Sequence, residues 1–136
     1  MIRTSTRRRR GATTIEFAFT LPIVLLMFFG FIEATRANMV RNSAKNAAYM
    51  AARRAIIPGG TASDAVAKGE SILKATGVRS GVVTVAPSVV DEDTPQVTVT
   101  VSAPMNENSW VVPKFFADAV IVQSCTLTRE ASQSGF

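Results

Sequence analysis

The chain has 136 residues, enough for one modest domain with appendages, and its net charge of +5 sits at one end. Arg3, Arg7, Arg8, Arg9 and Arg10 precede Gly11, whereas the ten basic residues after it balance ten acidic ones, a distribution that suits membrane topology better than the basic domain face of a nucleic-acid binder, so no nucleic-acid partner is expected. Histidine is absent and Cys125 is alone, which removes imidazole catalysis, most zinc sites, intrachain disulfides and thiolate clusters, and leaves Cys125 as a small apolar residue.

Residues 17–32 read FAFTLPIVLLMFFGFI, uncharged and with Thr20 as the one polar side chain. At 1.5 Å per residue they reach about 24 Å, short of a hydrocarbon core of about 30 Å. Adding Ile15, and letting Glu16, Glu33 and Arg36 reach toward the headgroups, closes most of that gap. A buried core helix is the alternative reading. Against it, Ile23, Val24, Leu25, Leu26, Met27, Phe28 and Phe29 cover every face of a helix, which one-sided burial does not require. Basic residues tie across the span, because Arg36, Arg41, Lys45, Arg53 and Arg54 follow it. The leading block is denser, so the expected topology is single-pass, with the N-terminus cytoplasmic and the C-terminal part outside. Pro22 predicts a kink in the span, with Thr20 close to the freed carbonyl. Glu16 is the anomaly, since a carboxylate at the bilayer centre costs about 2.5–3.5 kcal/mol.

The helical pattern continues from Ala34 through Ile57. Ala37, Val40, Ala44, Ala48, Ala51 and Ala55 recur at spacings of three and four and mark one face of small residues, suited to close approach by another element. Arg36, Asn38, Arg41, Asn42, Lys45, Asn46 and Arg53 occupy the other faces and are expected in solvent. Pro58, Gly59 and Gly60 end the helix. From Ile15 to Ile57 it would run roughly 65 Å, half apolar all round and half amphipathic. Thr61 and Asp64 have capping-box spacing and open a short amphipathic helix over 62–76, weakened by Gly69.

Strands are expected near 82–86, 96–103 and 119–128. In the second, Val97, Val99 and Val101 alternate with Thr98, Thr100 and Ser102, the pattern of a half-buried strand. The third places Val120 and Val122 on one face and Cys125 and Leu127 on the other, so a bulge or a twist is an open alternative. Asp91, Glu92, Asp93, Thr94 and Pro95 read as an exposed hairpin loop rather than a calcium site. Trp110, Val111, Val112, Phe115 and Phe116 are too apolar for an idle loop. They form either a flap over one end of the sheet or a contact patch for another subunit. The tail over 130–136 is expected to fray. The fold class is therefore α+β: a long N-terminal helix, a second short helix and a small C-terminal antiparallel sheet of about three strands.

A basic leader ending in glycine, with glutamate five residues later at the head of an apolar helix, resembles the processing site of type IV pilins. The likeness is closest to the TadE-like family of pseudopilins from tight-adherence systems. It is carried over residues 9–55 by basic-Gly, Glu16-Phe17-Ala18, an apolar stretch containing Leu21-Pro22, Glu33 with Arg36, and an asparagine- and alanine-rich helix. Ala34 stands where the family usually has an aromatic residue, and Phe17 where major pilins of this branch often have tyrosine. The resemblance implies a leader over 1–11, a transmembrane and assembly helix over 12–33 and an extracytoplasmic domain over 34–136. It further implies cleavage between Gly11 and Ala12 by a prepilin peptidase, and a minor pilin or pseudopilin handled by inner-membrane assembly machinery alongside other pilin subunits. Adhesion or secretion would be its role, and the surface pilus its destination after assembly. Glu16, with Phe17 beside it, would serve assembly by neutralising the amine that the cut exposes on a neighbouring subunit; an unpaired charge penalises the wrong register. Trp110, Phe115 and Phe116 are the candidate subunit contacts. No catalytic, metal or cofactor residues are expected, and the chain is read as a non-enzyme. The alternative is a small secreted or bitopic domain held by an uncleaved signal anchor.

Overall fold

The computed structural model describes residues 7–91, 94–110 and 116–129, with side chains from residue 11 onward. The tail over 130–136, Arg3, and Glu92, Asp93, Val111, Val112 and Phe115 lie outside the described residues, as do the side chains of Arg7, Arg8, Arg9 and Arg10. The order of elements is α1 (Arg7–Ile56), α2 (Ala62–Ala75), β1 (Val82–Ala86), β2 (Gln96–Pro104) and β3 (Val120–Thr128). This is the α+β arrangement expected from the sequence. Helix α1 begins eight residues before Ile15, because arginine is a good helix former and Gly11 alone does not stop a helix. It continues through Pro22 and ends one residue before Ile57.

The termination of α1 is sterically specified. Gly59 takes φ +75°, and the Gly60 amide donates to the Ile57 carbonyl at 2.8 Å. A Cβ on Gly60 would stand 2.4 Å from the Arg54 carbonyl oxygen, so only glycine lets the chain fold back over the helix end. Thr61 then caps α2, its hydroxyl accepting from the Asp64 amide at 3.1 Å. The Asp64 carboxylate pairs with Arg54 at 3.4 Å. Helix α2 stops at Ala75, with Thr76 as its C-cap. Gly77 at φ +70° follows, and its amide and that of Val78 return to the carbonyls of Lys74 and Leu73. Leu73 and Val78 are both buried, as this glycine-terminated motif favours.

The sheet has the order β1-β2-β3, antiparallel throughout. The β2–β3 ladder runs unbroken from Gln96↔Thr128 to Pro104↔Val120, so neither Val120 nor Val122 is brought inward by a bulge. Both are exposed, while Ile121, Gln123, Cys125 and Leu127 take the inner positions. Valine suits the pleated backbone on either face, which is why its presence did not reveal its side. Strand β2 is central and buries Val97, Val99, Val101 and Ala103 against α1.

The facing stripe of α1 is the predicted one, widened. Val40, Ala44, Ala48, Ala51 and Ala55 are fully buried, joined by Ala47 and Ala52, while Ala37 is partly buried. Two seams of small side chains let α1 meet both the sheet and α2 closely. Gly69 belongs to this packing: a Cβ there would lie 3.0 Å from Val83 and 3.4 Å from Ala51. The helix propensity lost at Gly69, about 1 kcal/mol, is the cost of that approach.

Candidate functional site

Helix α1 divides into two environments. From Gly11 to Phe28 every side chain is exposed, and the most apolar window is entirely unburied by the chain itself. It is the one described helix long and apolar enough to cross a membrane. Gly11, Ala12, Glu16 and Phe17 all lie on this exposed part. A Cβ at Gly11 would meet nothing within 4 Å, so no packing in the folded chain calls for glycine at that position. In mid-helix it costs about 1 kcal/mol relative to alanine.

Burial begins abruptly at Glu33. Glu33 and Arg36 are each 5% exposed, which corrects the expectation that both reach toward headgroups and that Arg36 lies on a solvated face. A carboxylate oxygen of Glu33 accepts from the Phe116 amide at 2.7 Å. Arg36 donates from Nε to the Asn108 carbonyl at 2.7 Å and from Nη2 to the Gly77 carbonyl at 3.0 Å. Its guanidinium carbon lies 5.1 Å from the centroid of the Trp110 ring. One side chain of α1 therefore holds two loops, the connector after α2 and the segment after β2. The loops supply carbonyls that a buried guanidinium needs, and the guanidinium's planar fork serves both.

Asn108 completes this collar. It is 2% exposed, donates from Nδ2 to the carbonyls of Arg79 and Pro104, and accepts at Oδ1 from the Arg79 amide at 2.7 Å. Ser80 and Glu107 are also hydrogen-bonded across the same two loops. Among the described residues no buried side-chain polar atom lacks a partner. A fully satisfied network of this kind fixes one arrangement, because each alternative strands a polar group in low dielectric.

Trp110 and Phe116, on either side of residues 111–115, are brought to the point where α1 enters the domain, through Arg36 and Glu33. Trp110 is 72% exposed and Phe116 40%. A shallow groove of about 250 Å³ opens beside Phe116, between α1 and the start of β3, with Arg41 as the one charged residue among its described lining. At the opposite end, Arg129 donates to the carbonyls of Ala55, Ile56 and Asp91 at 3.2, 3.2 and 2.6 Å. A cation there satisfies terminal carbonyls and complements the helix dipole. Asp91 also closes a turn with the Thr94 hydroxyl at 2.6 Å. The collar and Arg129 were not visible as sites in the sequence. Their partners lie some 40 to 80 residues away, and the nearest local signal is the i, i+3 spacing of Glu33 and Arg36.

Comparison with known protein families agrees with the N-terminal pattern: residues 11–53 match the family model described as TadE-like protein. The match takes in the exposed apolar part of α1 and most of its buried stripe, including Glu33 and Arg36, and ends before α2. This is a pilus-associated structural family rather than a family of enzymes. The match and the exposed apolar helix together fit a pilus-associated membrane protein. No curated protein and no solved structure shows significant similarity to the chain.

Proposed function

We propose, from its TadE-like N-terminal segment, that this chain is a minor pilin or pseudopilin of a tight-adherence system. It inserts once in the cytoplasmic membrane with its N-terminus inside, and a prepilin peptidase cuts it between Gly11 and Ala12. The product enters the pilus or its base and serves surface adhesion or secretion. The observation that carries this reading is the division of α1: an apolar half left wholly exposed runs without interruption into a half gripped by a folded domain. A continuous rod with a greasy exposed end suits insertion in lipid first and packing against other such helices afterwards. Gly11 supports the processing step, because the fold gives no internal reason for a glycine there. Glu16 supports the assembly step. It stands exposed on the apolar half, five residues past the scissile bond, where a neighbour's new ammonium offsets its desolvation.

N-terminal sequencing of the mature protein tests the proposal. A start at Ala12 supports it; an intact Met1 or a start beyond Ile32 overturns it in favour of a plain anchor or secretory signal. The assembly role has its own test. Glu16→Ala is expected to insert and be cut normally yet to be depleted from sheared filaments, and normal incorporation refutes the role.

A further inference from the structure

We infer that Trp110 and Phe116 form a membrane-interface contact, by which the domain rests on the bilayer that its own helix crosses. This rests on the reading of residues 17–32 as a membrane span, but not on the direction of that span. Arg36 is four residues past Ile32, so it lies about 6 Å further along the axis. That is headgroup depth when the apolar run fills the hydrocarbon. Trp110 stacks on Arg36, and the Phe116 amide is held by Glu33, one residue past the run, so both aromatics are fixed at that same level. Both are exposed, as is Phe31 on the last turn of the span. Arg79, held at this end through Asn108, is exposed as well and offers a cation to phosphate groups.

An indole is apolar over its rings and polar at its N–H, and it partitions to the boundary between headgroup and chain. A rigid collar that holds such a residue at this level restricts the tilt of α1, and of the domain that grips it, relative to the bilayer. The helix alone leaves that tilt free. Lipid is favoured over a second subunit as the occupant because the patch lies at the depth of the headgroups, where lipid is present before any subunit joins.

Trp110 is the single tryptophan of the chain, so its fluorescence reports this site alone. The full chain is reconstituted in phosphatidylcholine vesicles, and carbonate extraction establishes that it is integral. Expected are a blue-shifted emission, protection from acrylamide, and quenching roughly twofold stronger by lipids brominated near the glycerol than near the chain end. Trp110→Phe combined with Phe116→Trp moves the reporter to the second aromatic and is expected to give the same shallow depth. Release by carbonate overturns the span and the contact together. An integral protein whose Trp110 is quenched by acrylamide and not by brominated lipid overturns the contact alone. Protection that appears only at high protein-to-lipid ratio, without lipid quenching, overturns it in favour of a subunit interface.

Discussion

Removing the guanidinium of Arg36 tests the collar most directly. Arg36→Ala deletes two short hydrogen bonds from a charged donor to the carbonyls of Asn108 and Gly77. At about 1.5–3 kcal/mol each they amount to roughly 3–6 kcal/mol, and the contact with exposed Trp110 adds about 0.5–1. Water entering the vacated space re-solvates part of the two carbonyls, because both loops are near the surface. The expected loss is therefore about 3–5 kcal/mol, a large share of the roughly 5–15 kcal/mol that holds a domain folded. For a domain of this size that is a fall in melting temperature of roughly 15–30 °C. The assay is thermal melting of the full chain in mild detergent, followed by near-ultraviolet circular dichroism. Arg41→Ala, on an exposed face, is the control and is expected to change stability by less than about 0.5 kcal/mol. Arg36→Lys retains a charge and one bond at best and falls between the two. A melting temperature for Arg36→Ala within a few degrees of the Arg41→Ala control would refute the reasoning, since the two carbonyls would then be adequately served by water.

Three further outcomes follow from the same geometry. Gly60→Ala places a methyl against backbone oxygens that no rotamer change can move, and about 2–4 kcal/mol of destabilisation is expected in the same melt; an unchanged melt means that the turn after α1 relaxes freely. Arg129→Ala releases three carbonyls at the end of α1 and in the loop before β2, with an expected loss of about 1–3 kcal/mol. Faster amide exchange in the last turn of α1 is its signature, and unaltered exchange there contradicts it. Glu33→Gln keeps an oxygen for the Phe116 amide and is expected to cost less than about 1 kcal/mol, whereas Glu33→Ala strands that amide and costs about 1–3 kcal/mol. Equal melting of the two variants would show that the bond does not hold the loop.

Much of the architecture is written in local pattern, and the reason is geometric. A helix face repeats every 3.6 residues and a strand face every two. The stripe from Val40 to Ala55 and the alternation of Val97, Val99 and Val101 therefore declare their buried sides without knowledge of the partner. The exposed apolar half of α1, the glycine stop at residues 59 and 60, and the pattern from Gly11 to Glu16 are equally local. Tertiary structure decided the rest, wherever the environment of a residue is made by chain far away in sequence. Arg36 has the composition of a solvated residue, and only the carbonyls of Gly77 and Asn108 make it a buried one. Gly69 looks like a weakness in α2 until Val83 is found 3.0 Å from where a side chain would stand. Which face of β3 turns inward was open in its sequence; Val120 and Val122 lie outside, because the unbroken ladder with β2 sets the phase of β3. The aromatics after β2 gain their meaning from Glu33 and Arg36, which bring Trp110 and Phe116 to the end of the apolar helix. Periodicity reports which way a side chain faces along one element; what it faces is set by packing between elements.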